Sequence, residues 1–332
     1  FQPGHDANTY IYNPVSRTWQ FIDRTNYGQP RGDGCSVRLQ DGRFMIVGGY
    51  QEDNENPPTA SAEIIDLTSS NPAWQNVASM SEPRAFHDAV LLPDGNVLVI
   101  GGEKSLVPEL YNPNDNTWTN MAEHEITRGY HSTALLLPDG RVICSGGVGN
   151  NGPGLFEESA QFEIWNPYYL YSTARPVINS MVSSANYGQQ VSMSYSSSVP
   201  VSHVVIHRTG EQTHSFSYNQ ISERIALDSN GGGNLTFSIP SNSNVLPPCY
   251  YMVFLMSNDG VPSVAKWLQI GENVAQTLLG DVNLDGTVNL LDVQPFVALI
   301  STGQFQLEAD VNQDSMVNLL DVAPFVTLLN AG

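Results

Sequence analysis

Leu137-Pro138-Asp139-Gly140-Arg141-Val142-Ile143-Cys144-Ser145-Gly146-Gly147 is the third copy of a unit. Earlier copies run from Leu92-Pro93-Asp94-Gly95 to Ile100-Gly101-Gly102 and from Leu39-Gln40-Asp41-Gly42-Arg43 to Val47-Gly48-Gly49. A repeat is read before any single residue, because it fixes the architecture into which each residue falls. Its aspartates advance by 53 and then 45 residues. Each Asp-Gly reads as a two-residue hairpin turn with positive φ at both central positions, and each Gly-Gly closes the strand that follows. A Tyr- or Ile-rich strand then leads to a tryptophan, as in Tyr10 to Trp19, Ile64 to Trp74, Tyr111 to Trp118, and Phe162 to Trp165.

Four-stranded units of this length with these marks resemble kelch blades of a β-propeller, placed over residues 1–170. The marks predict three whole blades and the outer half of another, against roughly four to eight in a closed ring. Part of a propeller is therefore expected. Over 171–271 the repeat stops and apolar residues alternate with polar ones, as in Gln190-Val191-Ser192-Met193-Ser194-Tyr195, which predicts an Ig-like β-sandwich. The fold class is thus all-β, with a small helical module at 272–332.

Lys plus Arg total 13 against 33 for Asp plus Glu, a formal charge of −20 that repels nucleic acid and anionic membranes. No apolar run is long enough to span a bilayer. Phe1 opens the chain without Met or leader, as in a mature form or a fragment. Cys35, Cys144 and Cys249 give neither a zinc pattern nor a dense disulfide framework, and allow at most one disulfide.

The last module carries a second repeat. Asp281-Val282-Asn283-Leu284-Asp285-Gly286-Thr287-Val288-Asn289-Leu290-Leu291-Asp292 recurs 29 residues later as Asp310-Val311-Asn312-Gln313-Asp314-Ser315-Met316-Val317-Asn318-Leu319-Leu320-Asp321. Oxygen ligands at positions 1, 3, 5 and 12, with a backbone carbonyl at 7, are what Ca²⁺ requires. The candidates are Asp281, Asn283, Asp285, Thr287 and Asp292, then Asp310, Asn312, Asp314, Met316 and Asp321. Ser315 replaces the turn glycine, so the second loop is expected to be the weaker. Asp at position 12, a single following helix and the duplication resemble a type I dockerin. That resemblance implies two Ca²⁺, a cohesin-type partner met near Leu290-Leu291 and Leu319-Leu320, and a secreted protein.

Arg128-Gly129-Tyr130-His131-Ser132-Thr133-Ala134 running into the third unit, with Thr213-His214-Ser215 and Gly260-Val261-Pro262-Ser263-Val264-Ala265, resembles the galactose oxidase and glyoxal oxidase family over roughly residues 32 to 271. The resemblance implies one Cu²⁺, with Tyr130 as axial phenol and catalytic residue and His131 and His214 as imidazole ligands. It also implies a substrate pocket near Tyr50, Gln51, Phe86 and His87, although His87 reads first as a structural inner-strand residue. The family's further ligand is a radical tyrosine joined by thioether to a cysteine. One register sets Asp33 at its place. The other, which matches Gly48-Gly49-Tyr50-Gln51 and Arg84-Ala85-Phe86-His87 to pocket segments, leaves that blade outside the chain. Neither supplies the pair. His203 and His207 alternate on one strand and read as solvent-facing.

Two functions follow. One is an extracellular copper oxidase of a primary alcohol or aldehyde, carbohydrate-related, giving H₂O₂. The other is a non-catalytic glycan- or protein-binding module tethered by its dockerin. A glycoside hydrolase lacks the close carboxylate pair it would need.

Overall fold

The computed structural model describes residues 7–50, 57–103, 105–150, 156–158, 160–213, 216–271, 278–312, 314 and 316–330. It divides into two compact units, 1–271 and 272–332.

The repeats fold as antiparallel sheets. A pair, β1 (Asn8–Asn13) and β2 (Thr18–Arg24), precedes two four-stranded sheets. These are β3 (Cys35–Arg38), β4 (Phe44–Val47), β5 (Ala62–Ile65) and β6 (Trp74–Val77), then β7 (His87–Leu91), β8 (Val97–Gly101), β9 (Glu109–Asn112) and β10 (Thr117–Asn120). The third repeat departs from expectation. β11 (Ser132–Leu136) and β12 (Val142–Gly146) are followed by the small hairpin β13 (Val148–Asn150) and β14 (Phe156–Glu158), and β15 (Phe162–Trp165) is the third and last strand of its sheet among the described residues. Trp165 therefore lies on a third strand, whereas Trp74 and Trp118 lie on fourth strands and Trp19 on the second strand of the β1-β2 pair. Beyond it Pro167 directs the chain into a 3₁₀ turn, whose Tyr169 hydroxyl donates to Gly140 O at 2.6 Å.

The Asp-Gly turns also differ from the reading. Leu39 N bonds Arg43 O at 2.8 Å and Gly42 N bonds Leu39 O at 3.0 Å, so the loop has three residues and only the glycine takes positive φ, +89° at Gly42. This is a type I turn closed by a left-handed residue. The aspartate stays in the ordinary region and accepts the amide two residues on, Arg43 N to Asp41 Oδ1 at 3.0 Å and Asn96 N to Asp94 Oδ1 at 3.0 Å.

Each blade holds a buried ion pair. Arg31 meets Glu63 at 2.7 Å and Arg84 meets Glu109 at 2.6 Å, with every partner at most 1% exposed; Arg128 meets Glu163 at 2.9 Å. The same guanidinium donates to the first carbonyl of its blade's Gly-Gly, Gly48, Gly101 or Gly146, at 2.9 to 3.0 Å. The glutamate accepts backbone amides of the segment arriving from the previous repeat, Asn26 and Tyr27, Ser81 and Glu82, or Glu125. Tryptophans reach backwards too: Trp74 Nε1 donates to Thr9 Oγ1 and Trp118 Nε1 to Ala78 O, both at 2.7 Å.

Ten further strands form the part after the repeats. β16 (Val177–Met181), β17 (Ser184–Ala185), β18 (Gln190–Ser196), β19 (Val201–Arg208), β22 (Ile221–Gly231), β23 (Asn234–Ser238), β24 (Cys249–Ser257) and β25 (Lys266–Ile270) make one continuous sheet in the order β16-β18-β23-β22-β19-β24-β25-β17. β20 (Glu211–Thr213) and β21 (Phe216–Tyr218) stand apart as a hairpin. Val204, Ile206, Val253 and Leu255 pack inside the curl with Val191, Leu235 and Phe237. The opposite face, Val205, Met252, Phe254 and Met256, packs on Val90, Leu98, Leu136 and Val142 of the blades. β24 is thus apolar on both faces, which is why Tyr251 to Met256 runs without alternation. His207 shares this double burial: it is 0% exposed, not solvent-facing, and its pKa is lowered to about 3 by burial. His203 is half-buried beside Ser202 Oγ at 2.7 Å.

In the second unit α1 (Val293–Thr302) and α2 (Val322–Leu329) bring Phe296 and Phe325 face to face, ring centroids 4.0 Å apart, over Val282, Ala309 and Val317.

Two outcomes follow. Replacing Glu109 by Leu strands the Arg84 charge, so the first unit should lose about 3–5 kcal/mol, whereas Arg84→Met with Glu109→Leu should recover most of it. All five tryptophans lie in this unit, so urea unfolding followed by their fluorescence reports it, and an unaffected single variant would refute the role given to the pair. The second concerns Asp88, buried between inner strands with Ser132 Oγ donating at 3.0 Å and its pKa raised by burial to about 7. Since the folded value exceeds the unfolded one, its contribution is present in acid and lost as pH rises from about 4 to about 7. Relative to Asp88→Asn, the wild type should weaken over that range, and parallel pH profiles would contradict the assignment.

Candidate functional site

Tyr130 and His131 lie where the chain enters β11. Val148 N bonds Tyr130 O at 2.8 Å, and His131 takes φ +68°, an unusual backbone for a side-chain-bearing residue that turns the chain between two adjacent polar rings. The rings stack face to face, centroids 3.8 Å apart and 27° between planes, and both residues are exposed, Tyr130 by 38%. Phe86, itself at φ +56°, meets the Tyr130 ring edge-on at 5.3 Å, and Tyr50 meets Phe86 edge-on at 5.6 Å. Tyr50 O–H donates to Glu103 Oε2 at 2.6 Å. Tyr50, Phe86, Tyr130 and His131, far apart in sequence, thus form one file of rings. Gln51 lies outside the described residues.

His87 does not belong to the file. It is 0% exposed with its imidazole packed on Gly48, where a Cβ would stand 2.5 Å from His87 Cε1, and burial lowers its pKa to about 3. The inner-strand position, not a pocket wall, accounts for it. Neither ring nitrogen has a hydrogen-bond partner among the described residues. Cys35 Sγ donates to His87 O at 2.7 Å, and burial drives this thiol well above its ordinary pKa. All three cysteines are free, so no disulfide forms.

The third proposed copper ligand, His214, lies outside the described residues. Its flanks are described: Thr213 of β20 pairs with Phe216 of β21, and this hairpin rests on β3, β7 and β11, the first strands of three repeats. Gln220 fastens its base, accepting from Leu91 N at 2.7 Å and donating to Ala89 O at 3.1 Å. Glu223 pairs with Arg38, and Gln40 Nε2 donates to Ser222 Oγ at 2.8 Å. Sequence reading saw the histidine but not this seat, which is set by Gln40, Gln220 and Glu223. Among the described residues no three His, Cys, Asp or Glu side chains converge as a metal cluster. The donors described for copper, one phenol and one imidazole on adjacent exposed residues, are of the kind Cu(II) takes.

The two acidic loops are built alike. Asp292 is 0% exposed and accepts from Asn283 N and Asn289 N at 2.9 Å, while Asn289 Oδ1 accepts from Leu291 N at 2.8 Å. Asp321, also 0% exposed, does the same with Asn312 N, Asn318 N and, through Asn318, Leu320 N. Asp281 accepts from Asp285 N and Gly286 N, and Asp310 from Asp314 N. Asn283 and Asn312 donate to Asp285 and Asp314 at 3.0 Å. Thr287 N and Met316 N are tied to the same aspartates at 3.0 Å. Gln313 and Ser315 lie outside the described residues. Residues 272–332 hold eight carboxylates and no Lys, Arg or His. Buried carboxylates in such a segment have no internal cation, and an all-oxygen donor set fits Ca²⁺.

Comparison with known proteins adds independent support. Residues 50–169 match the family model of the glyoxal oxidase N-terminus, 175–270 that of the galactose oxidase-like Early set domain, and 279–330 that of the dockerin type I domain. A galactose oxidase of Gibberella zeae is 32% identical over 253 residues, 69% of this chain and 36% of that protein. The aldehyde oxidase GLOX of Vitis pseudoreticulata is 31% identical over 304 residues, 79% of this chain and 57% of that one. The chain thus spans between about a third and three fifths of the length of these relatives. Among solved structures, one described as a novel fungal alcohol oxidase with catalytic diversity among the AA5 family, in complex with copper, is similar with a TM-score of 0.73 and 26% identity, over 81% of this chain and 60% of that one. Family models, relatives and blade-and-sandwich geometry agree: the chain belongs to the galactose oxidase and glyoxal oxidase family and ends in a type I dockerin.

Proposed function

We propose that the first unit is the scaffold of an extracellular copper oxidase acting on a primary alcohol or aldehyde, carbohydrate-related, and that the dockerin tethers it to a cohesin-type partner. The observation that carries this reading is the exposed, stacked pair Tyr130 and His131 at the entry to β11, the strand against which β20 rests, with His214 following β20 in sequence. Tyr130, His131 and His214 would hold one Cu(II). Bound copper supplies one redox equivalent and a Lewis-acidic place for a substrate oxygen.

Alcohol oxidation removes two electrons and two protons, which O₂ takes up as H₂O₂. A second one-electron centre is therefore required beside the metal. Cys35 does not contribute one, since its thiol is directed to His87 O. This favours a second reading for the chain as it stands, a copper-binding propeller and sandwich that binds glycan or protein without turnover.

The propeller ends near 170, the sandwich near 271, and the remainder folds around two Ca²⁺. Asp281, Asn283, Asp285, the Thr287 carbonyl and Asp292 would hold one; Asp310, Asn312, Asp314, the Met316 carbonyl and Asp321 would hold the other. The exposed Leu290, Leu291, Leu319 and Leu320, each 67% to 80% accessible, would meet the cohesin.

Calorimetry should find about two Ca²⁺ per chain, about one after Asp285→Ala, with helicity rising on binding. The calcium-saturated chain should then take up about one Cu(II) with a tetragonal spectrum, which His131→Ala or His214→Ala abolishes. Galactose or glyoxal should yield little H₂O₂ with this chain. Absence of copper uptake by folded protein would sink the oxidase reading, whereas rapid turnover would sink the non-catalytic one.

A further inference from the structure

Glu103 follows the second Gly-Gly, and its surroundings place a carboxylate beside the ring file. Tyr50 O–H donates to its Oε2 at 2.6 Å, and Tyr50 is its hydrogen-bond partner among the described residues. A Cβ at Gly129 would stand 3.1 Å from Glu103 Cγ, so the side chain lies against the residue that precedes Tyr130. Gly102 bridges to Arg128 in the same place, with Gly102 N bonding Arg128 O at 2.6 Å. The strands before and after thus hold Glu103 next to the segment that carries Tyr130 and His131.

Among the described residues the charge of this corner is one-sided; Lys104, the next residue along the chain, lies outside them. The charges acting on Tyr50 are Glu103 and Asp33, which with burial hold its phenol protonated. The nearby arginines do not compensate, because Arg31, Arg84 and Arg128 are committed to Glu63, Glu109 and Glu163. A carboxylate accepts hydrogen bonds from hydroxyls and opposes other anions, and a site built around such a group discriminates strongly against a partner that cannot satisfy it.

We propose that Glu103, tethered by Tyr50 beside Tyr130, is the substrate-selecting residue of the copper site, admitting neutral hydroxylated substrates such as polyols or sugar alcohols and excluding anionic oxo acids such as glyoxylate. This rests on the copper reading above and narrows it. Glu103 acts through field and hydrogen bonding, and takes no part in holding the metal.

The test uses the full chain, saturated with Ca²⁺ and loaded with one equivalent of Cu(II), titrated with azide as an anionic probe and imidazole as a neutral one. Cu(II) electron paramagnetic resonance and visible absorption give both affinities. In Glu103→Gln azide should bind about three- to tenfold more tightly, imidazole should stay within about twofold, and the difference should shrink at high salt. Glu103→Asp should restore the wild-type ratio. Tyr50→Phe, which keeps the charge and removes its tether, should shift azide in the same direction by less, and it serves if Glu103→Gln does not fold. An unchanged azide-to-imidazole ratio in a folded, copper-loaded variant overturns this inference and leaves the copper reading standing. Failure of the wild type to take up copper overturns both.

Discussion

A guanidinium buried at 1% exposure or less is strongly destabilising without a partner, and the propeller is arranged so that each blade supplies one. Arg31, Arg84 and Arg128 each join three things: a Gly-Gly carbonyl, a glutamate on the third strand, and through that glutamate the backbone arriving from the preceding repeat. Side chains that order three backbone segments at once set the angle at which a blade leaves its neighbour. The glycines follow from this. A Cβ at Gly49 would stand 2.9 Å from Arg31 C, and one at Gly101 2.9 Å from Arg128 O, so the arginine-bearing segment closes on the strand end only where no side chain intervenes.

The candidate site is a by-product of the same joint. Tyr130 and His131 come two and three residues after Arg128, Phe86 and His87 come likewise after Arg84, and the ring file runs along the segments that the arginines hold. The different fates of His87 and His131 have a simple cause. Positive φ at Phe86 and His131 turns successive side chains in different directions, so His87 goes under the Gly-Gly of the previous blade while His131 remains beside Tyr130 at the surface. The hairpin β20-β21 closes the arrangement from the sandwich side, fixed by amide and ion-pair contacts at its base.

Much of this was legible in the sequence, and the pattern of what was not is physical. The Gly-Gly, Asp-Gly and tryptophan marks were readable because they are local backbone requirements repeated at a fixed spacing. The acidic loops were readable for the same reason: all their donors fall within twelve residues. The arginine–glutamate joints repeat just as regularly, Arg31, Arg84 and Arg128 lying 17 or 18 residues before a Gly-Gly, and that spacing was the available signal. It was missed because a charged residue in a strand-rich repeat reads as surface. His207 was misread likewise, since alternation along β19 implies a solvent face only if one face of the strand meets water. Glu103 had no signal at all, because its role depends on Tyr50, 53 residues away. That the third repeat has three strands among the described residues was equally hidden, as Trp165 carries the right residue on the wrong strand.

The dockerin meets the same constraint of buried charge by the opposite means. The propeller neutralises the buried Glu63 and Glu109 with arginine, whereas residues 272–332 contain no basic side chain, and Asp292 and Asp321 are nonetheless fully buried. Backbone amides of the loops satisfy part of their hydrogen-bonding capacity but none of their charge. With eight carboxylates in so short a segment, mutual repulsion opposes the compact state unless cations are taken up. The core that must form against this repulsion is small, essentially Phe296 stacked on Phe325 over a few aliphatic side chains. Binding energy from calcium is then folding energy, and the module's two halves become coupled through those stacked rings: ordering one loop positions its phenylalanine as the surface on which the other packs. The order of the second unit therefore follows the calcium concentration around it, while that of the first is internal.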